Sequence, residues 1–505
     1  LGAVLIFPSL LRGLAPQNIL SMGLGERTVK MREFLYRDGI LSPIVQSALK
    51  PLKPYHWVSD LPKMEEGYLD GVQVVEPEPM EKQLEYLFSI CDSFDSLTKS
   101  NDNWTFLKVL YHSIKYCTQC NLCSEFCHVY IGSGRKEIYR PIFKSEILRR
   151  VLTQQIPLDY IIASRLVESS YRCNICRRCA TACPLGVDNG IVAREIRKAF
   201  SQGLGIAPTA LHQDGTFKQL RLGSTTGMTP EAFRHLIRFL ECEIRDRSGL
   251  PVRIPVDETN ADILLFNNPG EYLSWPENIQ AYALLFHLAG VNWTLSSSPG
   301  GYDATNYGVF YDDVQLARIL LEQARTIHEL SPKKVIIGEC GHAHKAMMVL
   351  QHRLLPSKLR INADSIFNYL PDLIGKGAIK MRRQLSPVTL HDPCNVARML
   401  GITIPQRQMI EDISTNFVDM TPRGCDNYCC GGGSGLALLR EPEQEAFRCL
   451  VAGRVKYQQI LDALAKRPTS GNRYVIAPCS NCKSQIRDFL SFYKSDIKYI
   501  GMAEY

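Results

Sequence analysis

Eight of the 18 cysteines stand in two ladders of identical spacing. Cys117, Cys120, Cys123 and Cys127 form the first. Cys173, Cys176, Cys179 and Cys183, followed by Pro184, form the second. Each reads C-x2-C-x2-C-x3-C, the spacing that wraps a cubane [4Fe-4S] cluster. Three thiolates on one tight loop reach three irons of one cube, and the fourth points toward the neighbouring cube. The spacing therefore assigns Cys117, Cys120, Cys123 and Cys183 to one cubane, and Cys173, Cys176, Cys179 and Cys127 to the other. Zinc sites come as two CxxC pairs rather than four-rung ladders, so zinc and disulfides are the weaker readings. Two cubanes side by side make an electron wire.

Five further cysteines lie near the carboxyl terminus: Cys394, the vicinal pair Cys429-Cys430, and Cys479 and Cys482 in a CxxC. Each group follows an expected strand, over residues 388–390, 417–420 and 474–476. In open α/β sheets the carboxyl ends of strands converge on one crevice, so these five thiolates are expected to meet there. Adjacent cysteines strain a disulfide between themselves, but they can bridge two metals. Gly431, Gly432, Gly433 and Gly435 let the backbone pass close to a bulky inorganic core.

The pattern Cys394, Cys429-Cys430-Gly431, Cys479-x2-Cys482, behind a two-cluster domain, resembles the cysteine-rich CCG domain of the heterodisulfide reductase family. The resemblance covers about residues 100–505. It implies that Cys394, Cys429, Cys430, Cys479 and Cys482 hold one non-cubane [4Fe-4S] cluster, where a sulfur–sulfur bond is cleaved or formed. It further implies a membrane cytochrome b-type subunit and other complex subunits as partners. The implied substrate is the disulfide or trisulfide of a small sulfur-carrier protein (DsrC-like), and the implied location is peripheral, on the cytoplasmic face of the cell membrane. Two other readings stand beside it. In one, the chain is an electron-transfer or scaffold subunit whose five cysteines hold a structural metal. In the other, it is the iron–sulfur subunit of an organic-acid dehydrogenase.

The preceding segment departs from the family pattern. Asn267-Asn268-Pro269-Gly270 stands where the first cysteine is expected, and Ser298-Pro299-Gly300 replaces Cys-Cys-Gly. Glu339-Cys340-Gly341-His342-Ala343-His344-Lys345 replaces the CxxC, so only Cys340 survives of five ligands. Cys340 is then the candidate holder of the second sulfur, partly ionised by a nearby imidazole or Lys345, or else a buried structural cysteine. His342 and His344 are candidate proton donors to the leaving thiolate, or hydrogen-bonded structural residues. His391 reads as a core residue or one that supports a ligand. Cys425 could supplement the ligand set; Cys91, Cys242 and Cys449 read as core. Arg172, Arg177 and Arg178 surround the second ladder, where positive charge favours the reduced cluster. The basic run from Arg135 to Arg150 reads as a solvated helix face or a docking face for an acidic partner.

The elements that must position these residues follow from pattern. The fold expected is α+β and multidomain: a helical two-cluster ferredoxin-like domain followed by two α/β CCG-type modules, the first degenerate. Residues 1–90 are Pro-punctuated and read as an extended partner-docking arm. Residues 91–205 carry both ladders with helical patterning between them. Residues 206–260 read as a connector, with a polar stretch over 214–224. Strand–helix alternation then fills residues 261–380 and recurs over 381–505, as an internal duplication would. At 505 residues and net charge +7, with 45% hydrophobic and 22% charged residues, the composition is that of a globular protein. No long basic run interleaves with aromatics, which argues against nucleic acid. No window of about 20 apolar residues predicts a spanning helix. The apolar start, residues 1–11, is short and broken by Pro8, and reads as a tail on its own core or a segment lying on a partner. The first residue is Leu1 rather than Met, as expected if further residues precede it.

Overall fold

The computed structural model describes residues 107–505, apart from 153–154, 158–159, 204–206, 376, 378, 380 and 468–470. The expected arm over 1–90, the apolar segment 1–11 and Cys91 lie outside the described residues.

The two ladders hang from four helices: α1 (Leu107–Tyr116), α2 (Pro141–Leu152), α3 (Tyr160–Tyr171) and α4 (Asn189–Lys198). Helix α4 begins where the Asp188 carboxylate accepts from the amides of Gly190 and Ile191 at 3.0 and 3.1 Å, which satisfies donors that a helix start leaves orphaned. Its Val192 and Ile196 share a core with Leu110, Leu148, Leu166 and Val167 from the other three helices. The loops that carry the cysteines are therefore tied to one packed hub.

The stretch expected as a connector is largely helical, and this corrects the sequence reading. Residues 209–222 form successive helical turns, and α5 (Pro230–Ser248) follows. Thr229 caps α5 by accepting from the Ala232 amide, Pro230 sits at its first position, and Gly249 ends it at φ 67°. Polar residues made 214–224 read as linker, but Gln219 and Ser224 find their partners in Thr305 and Tyr302, far along the chain.

Two parallel sheets complete the described chain. The first holds β1 (Ile263–Phe266), β2 (Trp293–Thr294), β3 (Lys334–Ile337) and β4 (Ala363–Ser365), in the order β2-β1-β3-β4. Helices α6 (Pro276–Leu288) and α7 (Asp313–Leu330) connect its first three strands, as parallel pairing requires. The second holds β5 (Val388–Leu390), β6 (Tyr474–Ile476) and β7 (Lys498–Ile500), in that order. Around it lie α8 (Cys394–Leu400), α9 (Arg454–Leu464) and α10 (Ser480–Phe492). The strand expected over 417–420 is reduced to an isolated bridge between Phe417 and Val388. Asp419 there turns its carboxylate to Arg407 and Arg423, and Pro422 has no N–H with which to extend a ladder.

Side-chain alternation in β1 sorts its residues between two cores. Leu264 and Phe266 pack with the helices of the ladder domain. Ile263 and Leu265 pack with Val388, Leu390 and Ile476 of the second sheet. The first sheet thus lies between the ladders on one side and the second sheet on the other. Among the described residues, no helix is long and apolar enough to cross a membrane.

Candidate metal centres

Each ladder coils through two left-handed residues at equivalent places. They are Gln119 (φ 58°) and Asn121 (φ 62°) in the first, and Ile175 (φ 48°) and Arg177 (φ 62°) in the second. For a β-branched residue such as Ile175 this conformation costs roughly 1–3 kcal/mol. What the coil achieves is to face three thiols inward. The eight thiols line two cavities. One has Cys117, Cys120, Cys123 and Cys183 in its wall. The other has Cys127, Cys173, Cys176 and Cys179. Each cavity takes three thiols from one ladder and the fourth from the other. Burial pushes Cys123 up to about 11 and Cys127 up to about 12, so the thiolate state there calls for a nearby positive centre. Four unbridged thiols around a cavity fit a cubane [4Fe-4S] cluster.

The five carboxy-terminal cysteines meet in one cluster. The Cys430 and Cys482 sulfurs lie 3.4 Å apart. Cys429 contacts Cys394 and Cys430, and Cys479 contacts Cys482. Cys394 opens α8, and Cys479 stands at the N-cap of α10. The vicinal pair precedes Gly431, whose φ of 92° favours glycine. A Cβ at Gly431 would meet the Ala452 carbonyl carbon at 2.7 Å, and one at Gly432 would meet Cβ of Gln485 at 2.6 Å. Five unbridged thiols on such a tightly held loop fit a metal–sulfur centre. This cluster also touches the second cavity, because Cys176 packs against the core that holds Cys429. Two residues secure that junction. Asn174 donates to the carbonyls of Gly431 at 2.7 Å and Gly433 at 3.2 Å. Arg398 donates to the Cys176 carbonyl at 2.9 Å and to that of Asn427 at 2.8 Å.

The first sheet supplies the facing wall. The Gly341 amide donates to the Cys479 sulfur at 3.3 Å, and the Ser480 amide donates to the Glu339 carbonyl at 2.9 Å. Cys340 is fully buried, with the Ala343 amide at 3.5 Å and the Asn268 amide nitrogen at 3.7 Å from its sulfur. The expectation of an ionised Cys340 is overturned: burial, with Cys479 adding to it, pushes the thiol up to about 12. Lys345 does not rescue it, since burial and the nearby Arg194 and Arg177 push that amine down to about 7. His342 is no ready acid either. Burial pushes it down to about 3, and its Nε2 accepts from the Ser434 amide at 3.3 Å. His344 donates from Nδ1 to the Cys340 carbonyl and accepts at Nε2 from Ser365, each at 2.8 Å. Both of its nitrogens are engaged away from the thiols, and burial pushes it down to about 4. His344 is thus a structural link between β3 and β4.

Several residues that the sequence reading ranked low or passed over stand at this site. His391 was expected in the core or in support; it brings a ring nitrogen within 4.8 Å of both the Cys430 and Cys482 sulfurs. Its position three residues before Cys394 was the available signal. Asn174, Arg398 and Lys456 had none, because only folding brings them near. Cys425 is exposed and its thiol donates to the Ala397 carbonyl at 3.3 Å, outside the thiol cluster. Cys449 is buried as expected, but Cys242 is exposed. Phe233, Ile237, Leu240 and Ile244 take the buried face of α5, and Cys242 falls on the other. The basic run is neutralised locally: Arg135 pairs with Glu125, Arg140 with Glu137, and Arg149 and Arg150 with Glu146. Lys144 is buried and donates to the Pro141 carbonyl. Arg172, Arg177 and Arg178 all line the second cavity.

Comparison with known proteins agrees with this geometry. Residues 113–187 match the 4Fe-4S dicluster domain, and residues 388–487 match the cysteine-rich CCG domain. The chain is 25% identical to the Hdr-like menaquinol oxidoreductase iron-sulfur subunit 2 of Archaeoglobus fulgidus, over 77% of this chain and 78% of that one. It is 24% identical to one of the subunits of the dihydromethanophenazine:CoB–CoM heterodisulfide reductase of Methanosarcina acetivorans, over 79% of this chain and 95% of the relative. A fumarate reductase (CoM/CoB) subunit from Methanothermobacter marburgensis is 23% identical over 77% of this chain and 71% of its own length. No solved structure gives a significant match. These matches support the heterodisulfide reductase-like family and an iron–sulfur redox role within a larger complex.

Proposed function

We propose that this chain is the catalytic iron–sulfur subunit of a membrane redox complex, in which two cubane clusters serve a non-cubane [4Fe-4S] centre that cleaves or forms a sulfur–sulfur bond. One observation carries the reading: Cys176, in the wall of the second cavity, contacts Cys429 of the five-thiol cluster. Cys117, Cys120, Cys123 and Cys183 would hold one cluster and Cys127, Cys173, Cys176 and Cys179 the next, which would together supply electrons one at a time to a centre held by Cys394, Cys429, Cys430, Cys479 and Cys482. Cys120 is exposed, which suits the first set as the entry point. When bound, the third cluster supplies an open iron position for a substrate sulfur. Arg398 is a buried cation that offsets the thiolate charge there, and the Gly341 amide supports the Cys479 sulfur.

Residues 261–380 are read as a degenerate copy of residues 381–505. The Cys340 amide donates to the Gly338 carbonyl at 2.7 Å, and the Cys479 amide donates to the Ala477 carbonyl at the same distance. Each cysteine follows a buried strand and caps a helix. The degenerate copy serves as a wall and not as a second cluster site.

The names of the relatives support a quinol-side electron donor and a disulfide as the class of substrate; a cytochrome b-type subunit as the link between them is part of the proposal. The proposed two-module layout resembles that of DsrK of the DsrMKJOP complex. On that analogy the substrate is a trisulfide or disulfide of a DsrC-like carrier, met at the cytoplasmic face of the membrane. The test is to reduce the purified chain with dithionite and add carrier in its trisulfide form. Cluster reoxidation faster than with a cysteine-free carrier is expected, and equal rates would refute the proposal. Cys430→Ala should keep both cubane signals and lose turnover. Iron content separates this reading from a conduit, at about 12 irons per chain for three [4Fe-4S] centres and about 8 for two.

A further inference from the structure

His391 follows β5, and its amide donates to the Ile476 carbonyl at 2.9 Å, so its fully buried ring is fixed at the end of the second sheet. The neighbours of the ring determine its tautomer. Lys456, buried on α9, donates to Asn427 Oδ1 at 2.5 Å. The Asp392 carbonyl, which can only accept, fixes which way the Asn427 amide points. The other end, Nδ2, donates to the Asp392 carbonyl at 3.0 Å and lies 3.4 Å from His391 Nδ1. An amide nitrogen cannot accept, so Nδ1 is the acceptor and the ring proton sits on Nε2. Nε2 has no hydrogen-bond partner among the described residues, and no sulfur accepts from it within 4.0 Å. A ring nitrogen lies within 4.8 Å of both the Cys430 and Cys482 sulfurs. An unsatisfied buried N–H is destabilising, and sulfur is the acceptor at hand.

We infer that His391 donates its Nε2 proton to the Cys430 sulfur, with Asn427 and Lys456 as positioning residues, and thereby stabilises the reduced state of the third centre. The inference rests on the reading of the five thiols as cluster ligands. A hydrogen bond draws electron density from a cluster sulfur and eases addition of an electron. The same imidazole protonated on Nδ1 would present a lone pair to that sulfur and act in the opposite sense. Asn427 therefore sets the sign of the effect.

The test is a redox titration of the full chain with all its clusters, followed by electron paramagnetic resonance, in wild type, His391→Leu and His391→Gln. The leucine variant should shift the third centre's one-electron equilibrium about tenfold toward the oxidised form, ~59 mV. Glutamine, which keeps an N–H, should recover part of the shift, and the two ladder clusters should not move. Hyperfine spectra of the wild type should show an exchangeable proton at the third centre that is lost in D2O. An unchanged potential in His391→Leu would overturn the inference, as would nitrogen coupling of ligand strength. Should the leucine variant lose iron, the wild-type hyperfine spectrum decides alone. A wild-type chain with no third-centre signal would instead sink the proposed function, and this inference with it.

Discussion

Burial, more than the presence of a reactive atom, sets what each side chain at this site can do. Cys340 sits next to the cluster thiols but is held protonated, with burial and Cys479 pushing it up to about 12. Its thiolate is then scarce at pH 8, and alkylation requires the thiolate. Iodoacetamide on the native protein should therefore label the exposed Cys242 and Cys425 and leave Cys340 unmodified. Peptide mass mapping checks this, and rapid native labelling of Cys340 would show an environment different from the one described. The sequence placed Cys340 correctly next to the thiols. Its protonation state was not legible, because the sequence shows Lys345 and two histidines as neighbours but not that all three are buried and discharged.

At the scale of elements, the site is made by strand ends and by loops that lack room for a Cβ. Strand β5 delivers His391 and Cys394, β6 delivers Cys479, and β3 delivers Cys340 opposite them. The glycine loop after Cys430 is pinned by Asn174 from the second ladder. Gly431→Ala would put a methyl group 2.7 Å from backbone atoms at a φ of 92°. The expected cost is on the order of 2–4 kcal/mol. That variant should lose about four irons per chain while both ladder signals persist, as iron analysis with electron paramagnetic resonance would show. Loss of the ladder signals as well would mean that the loop supports the whole fold. The apolar strands β1, β3, β5 and β6 were legible from short buried runs. Strands β4 and β7 were not, since three-residue segments such as Ala363–Ser365 carry no period. The helices of residues 209–222 were also missed, because their polar residues point to partners about 80 residues away.

For the molecule as a whole, the ladder domain is welded to both sheets by buried arginines of α4. Arg194 donates to the Gly308 and Val309 carbonyls and pairs with Asp313 at 2.7 Å. Arg197 donates to the Ser170 and Cys173 carbonyls and to Ser434. Such packing also buries histidines in neutral form, and this gives the stability a pH dependence. Burial pushes His212 and His342 down to about 3, and His344 down to about 4. Unfolded, each titrates near 6.5. Between these values the unfolded chain binds more protons, so stability rises with pH and is lost as pH falls below about 6.5. At pH 5.5 each histidine costs about 1.4 kcal/mol relative to neutral pH. Denaturant titrations from pH 7.5 to 5.5 should show this decline, and His344→Gln should reduce its slope by about half a proton at pH 6.5, approaching one at pH 5.5.

The sequence by itself determined the chemistry. Ladder spacing is a local property of a coiled loop, so the exchange of the fourth cysteine between two cavities followed from counting residues. The convergence of Cys394, Cys429, Cys430, Cys479 and Cys482 followed from their places after strands. Only the tertiary structure decided which centre adjoins which, through the contact between Cys176 and Cys429. It also decided which histidine ring lies beside the Cys430 and Cys482 sulfurs: His391. Those choices depend on desolvation and on hydrogen bonds from Asn427, Lys456, Ser365 and Ser434. Such partners are tens of residues distant along the chain, and no local pattern encodes them.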